Sequence, residues 1–312
     1  MQIGIIGAGS VGAATAFALM MKGIARKITL VDVNEKRALA EAEDIAHAAP
    51  FADANKVKAG SYEDLQNCSI IVVTAGANQK VGETRTDLLE RNVKIFSEII
   101  PQAAHFAPNA IFIIATNPVD VMTYVAIRLS GLPYEHIIGS GTVLDTARFR
   151  TDLGYYFGVS PKSIHANVLG EHGDSEVICW SNGDAGTLPL SVLAEKSGCN
   201  LSSEVKSKIE DDVRNAAYRI IEGKGATCYG IAGAISRICQ SIAANEYAIL
   251  TVSAYHQEVA KVHDVCLSLP AVIGKRGIHR ILHPELSAAE NALLNKSAAK
   301  IKELMQQADQ ML

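Results

Sequence analysis

The stretch GIIGAGSVGAATAF, residues 4–17, joins a short apolar run to a helix of small residues through three glycines. Gly7, Gly9 and Gly12 stand in a GxGxxG spacing, at the end of a predicted strand and the start of a predicted helix. This spacing allows a tight turn, close approach of a ligand to the backbone, and close packing of the helix on the strand. The helix N-terminus then offers N–H groups and partial positive charge to a phosphate. The stretch therefore predicts a dinucleotide-binding βα turn.

The surrounding chain repeats this alternation of strand and helix. Five apolar runs are separated by helical stretches: QIGIIG, KITLVDV, SIIVVTAG, AIFIIAT and HIIGSG. They are too uniformly apolar for a sheet with one solvent-exposed face. Residues 1–141 are therefore predicted to form a doubly wound parallel sheet of the α/β class. After Gly141 the pattern becomes mixed, with helices over 143–157, 203–222 and from 226, and strands over 248–255 and 264–274. A last helix should begin at Ser287, in a capping box with Glu290.

Composition excludes several classes of partner. The chain has 312 residues, 48% hydrophobic and 20% charged, with a net charge of −4 and no basic run, so neither nucleic acid nor an anionic membrane is expected as a partner. Six dispersed cysteines without a CxxC pair argue against a zinc knuckle or a disulfide framework. The longest apolar helical stretch, 227–247, contains Arg237 and Glu246, which favours a core helix over a membrane span. We expect a cytoplasmic protein.

A carboxylate follows the second predicted strand. Asp32 lies about as far beyond the glycines as a residue that binds the ribose diol of a dinucleotide. The next residues, Val33 and Asn34, supply no positive charge for the 2′-phosphate of NADP. The pattern therefore favours NAD.

Two further stretches carry groups suited to acid–base chemistry. In VLGEHGDSEV, residues 168–177, His172 lies between Gly170 and Gly173, which fits either a rigid elbow or an exposed polar turn. In LDTARFR, residues 144–150, Asp145 and Arg148 share one face if the segment is helical. From spacing alone, a surface ion pair explains them equally well.

Five motifs in order carry a resemblance. AGANQKVGETR (75–85) and ATNPVD (115–120), with GxGxxG, LDTARFR and GEHGD, resemble the L-lactate and malate dehydrogenase family across essentially the whole chain. The resemblance implies an N-terminal Rossmann NAD-binding domain over residues 1–141 and a C-terminal α+β catalytic domain over 142–312. It implies a cofactor site made by Gly7, Gly9, Val11, Gly12, Asp32, Asn117 and Ser140.

The same resemblance implies the catalytic roles. His172 would exchange a proton with the substrate, and Asp145 would hold its tautomer and stabilise its protonated form. Arg148 would clamp the substrate carboxylate, and Arg85, on a mobile loop, would polarise the carbonyl. Asn117 would face the nicotinamide and the carbonyl. The implied reaction transfers hydride between NADH and a 2-oxo acid, with no metal.

Substrate choice depends on two positions. At Gln79, malate enzymes of the family typically carry arginine, and a neutral side chain would leave a second carboxylate unpaired. Thr227 matches a threonine that leaves room mainly for a methyl group, so pyruvate and L-lactate are expected. A malate dehydrogenase, or another small 2-hydroxy acid dehydrogenase of the family, is the alternative. A catalytically silent NAD-binding or structural protein would be expected to lack Asp145, Arg148, His172 or Arg85, all of which are present.

A regulatory site is also implied. Arg150 and His165 match the residues with which many bacterial relatives bind fructose 1,6-bisphosphate between subunits. The resemblance further implies a homo-oligomer, either a dimer or a tetramer. An ordinary ion pair at Arg150 and a polar strand end at His165 remain the alternative for this pair.

Overall fold

The structure is a computed structural model that describes residues 1–52, 56–77 and 86–312, together with the backbone of Arg85. Strands and α-helices alternate through the first half of the chain. The strands are β1 (Gln2–Ile6), β2 (Lys27–Val31), β3 (Lys56–Ala59), β4 (Ile70–Val73), β5 (Ile111–Ile114) and β6 (Ile137–Gly139). The helices are α1 (Ser10–Met21), α2 (Glu35–His47), α3 (Arg85–Phe106) and α4 (Val119–Ser130).

Six parallel strands form the predicted doubly wound sheet, in the order β3-β2-β1-β4-β5-β6. Every residue of β4 and β5 is buried, as expected for strands covered by helices on both faces. The strand order reverses between β1 and β4, and such a reversal opens a crevice at the carboxyl ends of the strands. The predicted α/β Rossmann fold is therefore confirmed.

The second half of the chain mixes helices with antiparallel strands. Its helices are α5 (Val143–Phe157), α6 (Leu190–Lys196), α7 (Ser203–Lys224), α8 (Tyr229–Ala244) and α9 (Ala288–Asp309). Its strands are β7 (Ile164–Leu169), β8 (Val177–Ala185), β9 (Leu188–Pro189), β10 (Ala248–Val259), β11 (Val262–Gly274) and β12 (Gly277–Ile281). Strands β7 to β9 form a separate small sheet.

The main sheet continues from the first half of the chain into the second. Strand β10 pairs antiparallel with β6 through Ser253 and Gly139, and β11 and β12 extend the same sheet. A Cβ at Gly139 would lie 2.3 Å from Thr123 Oγ1 and 2.7 Å from Ser253 Cβ, so only glycine fits this junction without movement. The two halves therefore share one sheet across the expected boundary near residue 141.

Three apolar clusters fix the elements around the sheet. One lies under α3, α4 and α9 and includes Phe96 and Ile301, and another lies under α1 and α8 and includes Leu19. In the third, Phe149 of α5 packs with Val168 of β7. Helix α5 thus begins just beyond the end of β6 and packs against the small sheet.

One helix begins later than expected, next to the predicted substrate residue Thr227. Helix α8 begins at Tyr229 rather than at residue 226, so Thr227 lies in the loop after α7. Helix α7 ends where Gly225 adopts φ +82°, a left-handed conformation that suits glycine. Helix α9 begins as predicted, because Ser287 and Glu290 form the capping box. Within the described ranges, no helix has both the length and the apolar character that a membrane crossing needs.

Candidate active site

The three glycines of the first turn have distinct environments. A Cβ at Gly7, which adopts φ +103°, would lie 2.5 Å from the backbone nitrogen of Ala75. A Cβ at Gly12 would lie 1.9 Å from the carbonyl oxygen of Gly7, whereas one at Gly9 would meet nothing within 4 Å. Gly9 caps α1 without a side-chain hydrogen bond, and the first turn carries no acidic residue. This turn therefore combines close packing with an open helix N-terminus that suits a pyrophosphate.

Asp32 directly follows β2 and is anchored beside the glycine turn. Its Oδ2 accepts a hydrogen bond from the backbone N–H of Ala8 at 2.6 Å, and its Oδ1 accepts one from Asn34 at 2.8 Å. Val33, the next residue, is fully exposed. The carboxylate is therefore fixed beside the glycine turn, and its two sequence neighbours bring no positive charge.

Other predicted cofactor residues lie at nearby element ends. Val11 is half-buried in the first turn of α1, and Ser140 is buried directly after β6. Asn117 follows β5, precedes a cis peptide bond to Pro118, and is exposed. These side chains therefore come from β1–α1, β5–α4 and the end of β6.

Asn92 links two segments of the candidate site, and sequence analysis missed it. Its amide Nδ2 donates to the carbonyl oxygen of Asn117 at 2.8 Å, and its Oδ1 accepts from the backbone N–H of Ala77 at 2.7 Å. It is completely buried on the face of α3 that also carries Leu89 and Phe96. A single amide therefore joins the chain after β4 to the chain after β5. The sequence feature that could have identified Asn92 is a polar residue at a position where the helix pattern is otherwise apolar.

The predicted partners Asp145 and His172 meet at the start of α5. Asp145 Oδ2 lies 2.6 Å from His172 Nδ1, and Arg148 donates to Asp145 Oδ1 at 2.8 Å. The Asp145 side chain is only 2% exposed. Burial opposes its ionisation, but the charge and hydrogen bond of His172, together with Arg148, outweigh burial and lower the pKa of Asp145.

The same contact changes the basicity of His172. Burial alone would lower its pKa, but the charge and hydrogen bond of Asp145, with smaller contributions from Asp120 and Glu176, raise it to about 9. Because Asp145 engages Nδ1, that nitrogen carries a proton, and Nε2 is the nitrogen left for proton exchange. The arrangement can deliver a proton to a substrate oxygen near neutral pH.

The loop that carries His172 is anchored to three separate elements. The backbone N–H groups of residues 170, 171 and 172 donate in turn to Ser268 O in β11 at 2.9 Å, Ser297 Oγ in α9 at 2.8 Å and Asp120 Oδ2 in α4 at 2.8 Å. Gly170 adopts φ +83°, and a Cβ there would lie 2.7 Å from Ser297 Oγ. Of the two alternatives left by the sequence, the structure has the rigid elbow.

Two buried glutamates accompany this elbow. Glu171 accepts hydrogen bonds from Ser175 and, at 2.7 Å, from Lys300 Nζ in α9. Glu176 is 5% exposed, and burial, with the nearby charge of Asp145, raises its pKa to about 8. The charge balance around His172 therefore includes more carboxyl groups than Asp145 alone.

The structure describes only one of the three remaining predicted residues in full. Thr227 is half-buried in the loop before α8. Gln79 lies outside the described residues, as does the side chain of Arg85. The structure thus brings together Asp145, Arg148 and His172.

Arg150 of α5 contacts β7 at the residues that follow His165. Arg150 Nε donates to the carbonyl oxygen of Ala166 at 2.9 Å, and its terminal nitrogen donates to Asn167 Oδ1 at 3.1 Å. His165 is exposed and is paired across the strands with Asp184. Arg150 thus reaches the strand at the residue next to His165, on a different side of α5 from the contact between Arg148 and Asp145.

Comparisons with known proteins cover the whole architecture. The model of the lactate/malate dehydrogenase NAD-binding domain matches residues 1–139, and that of the α/β C-terminal domain of the same family matches residues 142–311. Similar proteins include the L-lactate dehydrogenases of Thermus aquaticus, 49% identical over 97% of both chains, and of Allorhizobium ampelinum, 50% identical over 97% of this chain and 98% of the other.

Two solved structures superpose on almost the whole chain. A lactate dehydrogenase from a Medee basin deep-sea metagenome library superposes with a TM-score of 0.95 at 38% identity, over 99% of this chain and 98% of the other. The ligand-bound minor L-lactate dehydrogenase of Enterococcus mundtii superposes with a TM-score of 0.94 at 37% identity, over 98% and 97% of the two chains.

The glycine environments predict opposite effects for two matched substitutions. We expect Gly12→Ala to lower the melting temperature by several degrees, because its Cβ would collide with Gly7 O, whereas Gly9→Ala should leave it almost unchanged. Gly9→Ala should instead weaken NADH binding by about tenfold or more, because the methyl group occupies the space open to the pyrophosphate. Thermal unfolding and NADH fluorescence titration measure the two effects. Equal melting temperatures for the two variants would contradict the packing argument.

Proposed function

Because the chain belongs to the lactate/malate dehydrogenase family, we propose that it catalyses the reversible, NAD-dependent reduction of pyruvate to L-lactate. The hydrogen bond of 2.6 Å between buried Asp145 and His172 Nδ1 is the observation that supports this proposal most strongly. It provides a histidine that is protonated at neutral pH on a rigid support. The relatives named above are L-lactate dehydrogenases, which favours lactate over the malate alternative.

The cofactor fits the first turn of the fold. Gly9 leaves open space in front of the α1 N-terminus, and Asp32 is fixed beside the same turn for the ribose diol. The repulsion between Asp32 and a 2′-phosphate disfavours NADPH. When bound, NADH supplies the hydride that reduces the carbonyl carbon.

The residues of the chain supply charge and the proton. His172 donates from Nε2 to the carbonyl oxygen, while Asp145 stabilises the imidazolium that is needed before the transfer. Arg148 binds the substrate carboxylate, and its bond to Asp145 Oδ1 fixes its guanidinium at the site. We assign the polarisation of the carbonyl to Arg85 and a contact with the carbonyl to Asn117, from their match to the family motifs.

Specificity for a small side chain is assigned to two positions. A neutral Gln79 would leave the second carboxylate of oxaloacetate unpaired, and Thr227 would restrict the space for the third carbon. The half-buried position of Thr227 before α8 is consistent with that role. We propose residues 1–141 as the cofactor domain and residues 142–312 as the catalytic domain.

Rates with NADH test this function and its specificity. The wild type should reduce pyruvate with a higher kcat/KM than oxaloacetate or longer 2-oxo acids. Gln79→Arg should shift the ratio toward oxaloacetate by about tenfold or more, because the guanidinium pairs with the second carboxylate. Gln79→Lys tests whether charge alone suffices. A wild type that prefers oxaloacetate would refute the assignment to lactate, and a ratio unchanged by arginine would show that position 79 does not contact the substrate.

The raised pKa of His172 predicts a pH dependence with a definite sign. Pyruvate reduction needs protonated His172, so kcat/KM should be constant near neutrality and fall as pH rises through about 9. Asp145→Asn removes the charge that raises this pKa, so the fall should begin at lower pH. The same change should lower kcat by about 10²–10⁴-fold.

Asp309→Asn is a control for that experiment, because it removes a carboxylate from the exposed ion pair with Arg128. It should leave the profile unchanged. A profile for Asp145→Asn that coincides with the wild type would contradict the role of the carboxylate.

We also propose a homo-oligomer in the cytoplasm that responds to fructose 1,6-bisphosphate. The six cysteines are free thiols, which suits a reducing compartment. Arg150 contacts β7 at Ala166, the residue after His165, and a two-fold axis there would place two copies of each cationic residue around one doubly phosphorylated sugar. Such a ligand would favour the assembled state by its higher affinity for it.

This regulation has a direct test. Fructose 1,6-bisphosphate should lower the apparent KM for pyruvate and favour the tetramer over the dimer. Arg150→Gln should abolish both effects, and Arg128→Gln, at a surface ion pair, should keep them. Rate curves and sedimentation with and without the sugar measure them. A wild type that does not respond would leave Arg150 with a structural role only.

A further inference from the structure

Asp120 crosses from the cofactor half of the chain to the catalytic elbow. It lies in the first turn of α4, three residues after Asn117, and is only 1% exposed. Its Oδ2 accepts the backbone N–H of His172 at 2.8 Å. Asn117 and His172 are assigned to the same substrate carbonyl, so this carboxylate connects the segments that carry both groups.

Helix capping does not explain this carboxylate. Pro118 is the N-cap of α4 and makes no side-chain cap, and the hydrogen bond of Asp120 goes to His172 rather than to an amide of its own helix. The hydroxyl of Ser253 faces the same carboxylate and, like the N–H of His172, partly offsets the rise that burial causes in the pKa of Asp120. Burying a carboxylate is costly to stability even when it accepts hydrogen bonds. Its cost is understandable if the bond to His172 serves the reaction.

We propose that Asp120 is a positioning residue, which fixes the backbone of His172 relative to Asn117 and adds negative charge beside the imidazolium. This inference rests on the proposed function. Asp145 and Asp120 act on different parts of the histidine, because Asp145 engages Nδ1 of the ring and Asp120 engages the backbone N–H. The first contact sets the tautomer, and the second sets the location of the ring.

The electrostatic part of the proposal involves every carboxyl group that faces His172. Asp145 faces it from α5, Asp120 from α4 and Glu176 from the elbow itself, while Arg148 balances Asp145. Burial raises the pKa of Asp120 to about 6, so it is mostly ionised at pH 7 and above. Loss of its charge should therefore lower the pKa of His172. The fall of pyruvate reduction with rising pH should then begin at a lower pH than in the wild type.

Two substitutions separate position from charge. In Asp120→Asn, the amide oxygen can still accept the N–H of His172, whereas Asp120→Ala removes both the acceptor and the charge. We expect the asparagine variant to keep kcat within about threefold at pH 6.5, with a fall of kcat/KM at lower pH than in the wild type. The alanine variant should lose about 10- to 100-fold in kcat, the scale for a misplaced catalytic group, with the Kd for NADH within twofold of the wild type.

Glu290→Ala is the matched structural control. Glu290 is also a buried carboxylate that accepts backbone N–H groups, at 2.8 Å from Trp180 and 3.0 Å from Ser181, but it lies in α9 outside the proposed machinery. This variant should lower the melting temperature without moving the pH profile. Rates are expressed per NADH site, titrated by fluorescence, so that unfolded protein does not count.

The outcomes are distinct. A wild type that does not reduce pyruvate contradicts the proposed function, independently of Asp120. With an active wild type, the inference is overturned if Asp120→Ala keeps the kcat and pH profile of the wild type. It is also overturned if the asparagine and alanine variants lose kcat equally, because the hydrogen-bond acceptor that asparagine keeps and alanine lacks would then have no effect.

Discussion

The buried contact between Asp145 and His172 is the constraint on which the rest of the site depends. A carboxylate that is 2% exposed is stable as an anion only beside positive charge. His172 supplies that charge at Oδ2 of Asp145, and Arg148 supplies it at Oδ1. In return, the carboxylate keeps the pKa of His172 above the usual value for histidine. The proposed proton donor and the proposed carboxylate clamp are therefore held by one buried group, and neither can be moved without affecting the other.

The fold delivers these groups from elements that are distant in sequence. Helix α5 begins just after β6, where the parallel sheet meets the antiparallel strand β10 at Gly139, and it packs against the small sheet that leads into the His172 elbow. The elbow is fixed by β11, α9 and α4 through consecutive amides. The cofactor cradle of β1–α1 belongs to the same nine-stranded sheet. The proposed cofactor site and the proposed proton donor are thus anchored to one sheet.

Local patterns could predict much of this arrangement, but contacts between distant segments could not be predicted. The uniform apolar runs of β4 and β5 and the capping box at Ser287 indicated their elements directly. The small sheet β7–β9 was missed, because its strands carry polar residues and glycines in place of a clear alternation. Asp120 lay in the quoted ATNPVD motif, but its contact with His172 spans 52 residues and depends on the tertiary fold. The roles of Gln79 and Arg85 remain predictions from the family motifs.

The central claim is that the fold holds His172 as an imidazolium at neutral pH. NMR titration of protein with ¹⁵N-labelled histidine measures this directly, with the His172 signals identified among nine histidines by their loss in His172→Gln. The account predicts that His172 keeps both ring protons through pH 8 and titrates near 9. Titration near the usual value of about 6.5 would contradict it.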